Sequence, residues 1–235
     1  MNTSIYNISL FNLLWVMIPV AIVIVIYMRW TEDKTTLFYA LFRMLIQLIL
    51  IGYVLTYIFN VDSPYLVLLI LSVMLIAASI ISMRPVEKRQ NGFYVYAFIS
   101  IFVGSIFTLS MVVFGVLSLE PWYEPRYLIP LAGMIFANAM NAVSIAAERL
   151  ESEINRGNTY IHARVTSYKA ALIPRINILF AVGLVSLPGM MTGQILSGVD
   201  PLIAVRYQIM VMLMILGSAG ISVAIYLMFL KKRYA

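Results

Sequence analysis

The stretch Gly183-Leu-Val-Ser-Leu-Pro-Gly-Met-Met-Thr-Gly-Gln-Ile-Leu-Ser-Gly198 sits in the apolar run 171–197, and whether it carries a helix onward or breaks it decides how the chain crosses a membrane. Pro188 lacks a backbone donor and crowds the carbonyl near Leu184, so a kink or break is expected at Pro188 and Gly189. At membrane depth such a break is tolerated only against protein or a water-lined cavity. Gly189 and Gly193 also form a G-x-x-x-G spacing, which lets a second helix approach closely. Close packing would explain the glycines. A hinge or gate beside a pathway would also explain the proline and the glutamine, so Pro188, Gly189, Met190, Met191, Gly193 and Gln194 are candidate gate residues.

The rest of the chain is of the same kind. Of 235 residues, 63% are hydrophobic and 11% charged, against roughly 25% charged in an average soluble domain. An all-α, polytopic integral membrane protein is expected. Apolar runs at 9–28, 37–59, 64–83, 94–117, 127–147, 171–197 and 204–230 are each near or above the ~20 residues a helix needs to cross the bilayer. No Lys or Arg precedes Arg29, so the first run reads as a true span rather than a cleaved signal. Cysteine is absent, which excludes disulfides and thiolate chemistry.

Charge sets the orientation. With seven spans and the N-terminus outside, the inner pieces hold Arg29, Lys34, Arg43, Arg84, Lys88, Arg89, Arg149, Arg156, Arg164, Lys169, Arg175, Lys231, Lys232 and Arg233. Only Arg126 and Arg206 fall outside, together with Asp62, Glu120, Glu124 and Asp200. This is the asymmetry of the positive-inside rule, with the C-terminus inside. The net charge of +6 therefore reports orientation, and no nucleic-acid partner is expected. The chain reads as one transmembrane domain over 1–235, with a cytosolic segment at about 148–170.

That segment contains Glu148-Arg-Leu-Glu-Ser-Glu-Ile-Asn-Arg-Gly157 and then Asn158 to Lys169, two short amphipathic helices around one glycine. Glu148 with Glu151, and Glu153 with Arg156, are spaced i,i+3, an ordinary way to solvate a helix leaving the membrane. It is either a solvated loop or a docking element for a soluble partner. His162, the single histidine, is expected to be solvated.

Polar groups within the spans need a reason, because burying them in hydrocarbon is costly. Arg43 and Gln47 lie four apart on one face; Arg43 is close enough to the cytosolic end to snorkel, and Gln47 is expected to face the protein. Asn138, Asn141, Ser144 and Glu148 form one stripe of the fifth span, either bonding a neighbouring helix or lining a polar pathway. Gln208 opens a face that continues through Met212, Ala219 and Ser222. Thioethers at Met190 and Met191 suit a soft cation such as Cu(I), but methionine more often fills apolar space. H-E-x-x-H, G-x-S-x-G and the G-x-x-x-x-G-K-[ST] phosphate loop are all missing, so no catalytic residue is assigned and nucleotide chemistry would need another chain.

Taken together, Arg43-Met-Leu-Ile-Gln47-Leu with Gly52-Tyr-Val-Leu, Ile129-Pro-Leu-Ala-Gly-Met134 with Asn138-Ala-Met140, Ala171-Leu-Ile-Pro174, the Leu-Pro-Gly-Met-Met block and Arg206-Tyr-Gln-Ile209 resemble the FetB-type family. These are ATP-binding cassette transporter permeases, including the bacterial iron export permease and plant aluminium-tolerance half-transporters. The resemblance implies a plasma-membrane permease, paired as a homodimer within membrane lipid and served by two copies of a separate ATPase that binds ATP. The cytosolic segment then becomes the coupling element, with Glu148, Arg149, Glu151, Glu153, Arg156 and Gly157 as candidates. The usual Leu-Gly-Ala-Thr-Pro run of bacterial members has no counterpart near Gly157. Arg43, Gln47, Asn138, Asn141 and Gln208 join the gate residues on the expected route. Cargo would be iron or another metal, free or chelated; a non-metal cargo such as a lipid or nucleotide sugar, or a passive channel or scaffold, are the competing expectations.

Overall fold

The computed structural model describes residues 9, 11–31, 35–59, 63–86 and 91–234. Lys34, Asp62, Lys88 and Arg89, used above to orient the chain, lie outside the described residues. The chain divides into two units, Met1–Val61 and Asp62–Ala235.

The first unit holds α1 (Leu14–Trp30) and α2 (Thr36–Ile58). α1 begins later than the apolar run, after a turn at 11–13, and ends where Thr31 donates both its amide and its hydroxyl to the Tyr27 carbonyl at 2.9 and 2.7 Å. At 17 residues it is ~25 Å long, just under the ~30 Å of a hydrocarbon core. α2 is 23 residues long and carries Arg43 and Gln47.

The second unit is a bundle of α3 (Pro64–Ser82), α4 (Asn91–Ser110), α5 (Pro125–Asn155), α6 (Tyr160–Ala181), α7 (Gly189–Leu196) and α8 (Pro201–Tyr234). Three of these start on proline, whose missing N–H costs nothing in the first turn. Asp200 accepts the Leu202 amide at 2.8 Å and so caps α8. α4 continues as a π-helical segment, Met111–Val116, in which the Leu117 amide reaches back to the Val112 carbonyl at 2.9 Å. Among the described residues, α2, α3, α4 with its extension, α5 and α8 are long and apolar enough to cross a membrane, and α1 is apolar but shorter.

One region departs from the sequence reading, and a second extends it. The polar segment is not a pair of separate amphipathic helices. α5 runs unbroken to Asn155, and after the turn at 156–159 α6 continues straight into the apolar run. The reason is local: no glycine or proline separates Gly133 from Gly157, and one buried face repeats through Ala139, Ala142, Ala146, Leu150 and Glu153. The sixth apolar run is divided between α6 and α7, with helix absent over 182–188. There Gly183 takes φ +84°, the Val185 amide folds back to the Ala181 carbonyl at 2.8 Å, and the Gly183 amide donates to Ser186 at 3.0 Å. Pro188, unable to donate, stands just before the first turn of α7.

α8 is packed against α4, α5, α6 and α7, while α5 also meets α3, α4 and α6. Small residues permit this. Ala132, Ala139, Ala142, Ala146 and Ala219 are fully buried, and a Cβ on Gly104 would lie 2.8 Å from the Ser222 amide nitrogen. At one end of the unit Tyr160 donates to the Leu227 carbonyl, Tyr226 contacts the Met83 sulfur at 3.5 Å, and Arg233 lies 4.6 Å from the Phe93 ring centroid. That end therefore gathers the close of α3, α5 and α8 and the start of α4 and α6. Arg84, Arg149, Arg156, Arg164, Lys231, Lys232 and Arg233 are all there, whereas Glu120, Glu124 and Asp200 belong to the helix ends opposite.

Candidate functional site

The break between α6 and α7 opens a groove against α8. Its volume is about 350 Å³, and its walls include Leu179, Val182, Gly183, Pro188, Met191, Gln208 and Met212. The walls are apolar except at Gln208, which is 5% exposed and whose amide oxygen and nitrogen both lack a partner. Pro188, Met191 and Gln208 are thus brought together. Met190, Gly189, Gly193 and Gln194 stand on α7 outside the groove wall. A Cβ on Gly189 or Gly193 would meet open space within this chain, so the small-residue spacing packs against no helix among the described residues. The Gln194 amide oxygen is buried without a partner.

Beside the groove, across Leu179 and Met212, lies a chamber of about 30 Å³ lined by Asn138 and Arg175. The Arg175 guanidinium donates to the Asn138 carbonyl at 3.3 Å, and its Nε is buried without a partner. The Asn138 side chain is satisfied by its own helix, donating to the Met134 carbonyl at 2.8 Å. Asn141 is exposed, as is Glu148, so the polar stripe of α5 lies mostly off the packed face. In the sequence Arg175 counts only as an inner charge. The signal that sets it apart is its position just after Pro174, within the first turns of an apolar run. Arg43 and Gln47 are on α2 in the other unit, half-buried and exposed respectively.

The turn between α5 and α6 is built on one carboxylate. Glu153, expected on a solvated face, is 3% exposed. It is bound by Arg149 at 2.6 Å, Arg156 at 3.7 Å and His162 at 3.8 Å, and accepts from the Asn158 side chain at 2.6 Å. Its burial follows from the apolar face of α5, on which it falls one turn beyond Leu150. The expected pairing with Arg156 is present, but Arg149 is the closer partner. Gly157 takes φ +82°, the left-handed conformation that closes α5. Burial pushes the Tyr160 hydroxyl above its ordinary pKa against the opposing pull of Arg164, and the hydroxyl donates to α8. Outside this knot, Glu148, Glu151, Asn155 and Arg156 line a polar pocket of about 340 Å³ with Pro85.

Apolar helices of membrane-spanning length, bundled about small-residue contacts and holding few charges, make this a multi-pass α-helical membrane protein. The chain belongs to the family described as Uncharacterised protein family (UPF0014), which it matches over residues 10–235. It is 38% identical over 206 residues to the probable iron export permease protein FetB of Escherichia coli, covering 80% of this chain and 78% of that one. A UPF0014 membrane protein of Synechocystis is 37% identical, over 77% of this chain and 75% of its own. The protein ALUMINUM SENSITIVE 3 of Arabidopsis thaliana is 33% identical, over 85% and 77%. The resemblance read from the sequence motifs is borne out by these matches. No solved structure matches the chain.

Proposed function

We propose that this protein is the membrane-spanning permease of an ATP-driven exporter, working as a homodimer in the plasma membrane with a separate ATP-binding cassette ATPase. The observation that carries this is the α5–α6 turn: a buried, charge-knotted and hence rigid hairpin tip with an exposed polar pocket, at the basic end that the positive-inside rule puts in the cytosol. The chain contributes no phosphate loop, so ATP binds and is hydrolysed on the partner. Nucleotide-driven movement of the tip would shift the permease between inward- and outward-open states through differential contacts. Iron or another metal, free or chelated, is the proposed cargo, and the name of the E. coli relative supports iron.

A non-metal cargo is the second reading. It is favoured by the apolar groove wall and by the absence, among the described residues, of any group of three or more His, Cys, Asp or Glu able to hold a metal ion.

Glu148 and Glu151, which face the polar pocket, are better probes of docking than the buried Glu153. Glu148→Lys combined with Glu151→Lys is expected to reduce permease-stimulated ATPase turnover at least ten-fold in co-reconstituted vesicles, while the permease still elutes as a single species. Unchanged stimulation would remove the tip from the coupling interface. Purification of the permease from its native membrane with no ATPase attached would count against the transporter reading itself.

A further inference from the structure

Arg175 lies beside Asn138, Met212 and Ile215, which are near the midpoints of α5 and α8, so its charge is held at mid-depth of the bundle. It is 8% exposed. Such a charge is costly and ordinarily pairs with a carboxylate. Here the acids of α5 stand at Glu148, Glu151 and Glu153, about three turns or more from Asn138, and among the described residues Glu153 is the only buried acid. The guanidinium is left with one long hydrogen bond to a backbone carbonyl and a buried, unpartnered Nε. Gln208, two turns along α8 from Ile215, is buried with both amide atoms unpartnered. Leu179 and Met212 wall both chambers, so the guanidinium's chamber and the groove share an apolar boundary that includes a flexible methionine.

From this geometry we infer that the site takes an organic anion, as a carboxylate or as its metal chelate, rather than a bare metal cation. Arg175 supplies the countercharge and Gln208 an amide hydrogen bond, while the apolar groove holds the body of the molecule. A free divalent ion entering between α6 and α8 would meet an uncompensated like charge and no carboxylate. An anion would both be held and complete the unsatisfied donors. This inference rests on the permease reading and narrows its cargo class.

The test uses the full-length permease in lipid nanodiscs, without ATPase, so that a failure of coupling leaves the outcome interpretable. Equilibrium dialysis is run with radiolabelled citrate, with ferric citrate and with ferrous iron alone. The expected result is retention of at least one of the two anions and not of ferrous iron; citrate alone identifies an organic acid, and ferric citrate only identifies a chelate. Arg175→Gln should weaken that retention at least ten-fold and Arg175→Lys less than Arg175→Gln. Should Arg175→Gln fail to fold, Gln208→Leu, which keeps the charge, should weaken retention several-fold. Retention of ferrous iron in place of the anions, retention of none of the three, or anion binding indifferent to these substitutions overturns the inference.

Discussion

Replacing Glu153 with alanine is expected to destabilise the α5–α6 hairpin tip by about 1.5–3 kcal/mol, the range for hydrogen bonds to a charged group. The carboxylate accepts from Asn158 and pairs with Arg149, Arg156 and His162. Without it Arg149 and Arg156, each one turn from position 153, remain as like charges with no shared counterion. Their side chains are 37% and 64% exposed, so water recovers part of the loss, and this keeps the figure below the ~3–5 kcal/mol of a fully buried broken pair. The measurement is limited trypsin digestion of the permease in vesicles with the tip facing out. Cleavage after Arg156 should quicken by more than ten-fold in Glu153→Ala and change little in Glu148→Ala, whose side chain is solvated. Equal cleavage of both variants would show that the buried carboxylate does not hold the turn.

The second large effect is expected at Gly104, where α4 and α8 meet. A methyl group there would strike the Ser222 hydroxyl and also lie 2.8 Å from the Ser222 amide nitrogen and 3.1 Å from the Ser218 carbonyl. Two of these atoms are backbone, so the clash cannot be relieved by a rotamer change and the helices must separate. Gly104→Ala is expected to cost about 1–3 kcal/mol, as for other overpacked interiors, and Gly104→Val more. Thermal unfolding in detergent should show a fall of several degrees for Gly104→Ala. Gly104→Ala combined with Ser222→Gly should recover part of it, because only the hydroxyl contact is removed. Gly52, whose added Cβ would meet nothing within 4 Å, provides the control. An unchanged melting temperature for Gly104→Ala would mean that α4 and α8 are not in tight contact there.

How much of the fold and the site is legible in the chain differs from place to place. The apolar runs place α2, α3 and α4 closely, because the length of an apolar segment decides whether it can cross a bilayer. Pro188 and Gly189 announce an interruption, but not that it occupies 182–188, since the fold-back onto the Ala181 carbonyl depends on the φ +84° of Gly183. Charge alone puts Glu153 on a solvated face, and helical period corrects this. Continuing the interval from Ala142 through Ala146 and Leu150 carries it to the packed face. For Arg175 the difficulty is the opposite. By charge it is one more inner cation, and only its placement opposite Asn138 distinguishes a mid-depth guanidinium from a snorkelling one. Gln208 stands out in the sequence as polar within a span, but its lack of partners is a three-dimensional property that no spacing encodes.

The uninterrupted course of α5 has a mechanical meaning. From Glu153 to Asn138 the helix contains neither glycine nor proline, a rod of ~22 Å at 1.5 Å per residue. A rod without a joint transmits tilt over its whole length, so a displacement of a degree or two at the tip arrives beside Arg175 as a rotation of the same angle. The interruption is elsewhere, in the seven residues at 182–188 where the helix gives way to a turn folded back onto the Ala181 carbonyl. The rod therefore touches α6 at the Arg175–Asn138 contact, seven residues before the interruption, so a tilt of α5 would reach α6 on its regular helix ahead of the segment where that helix stops.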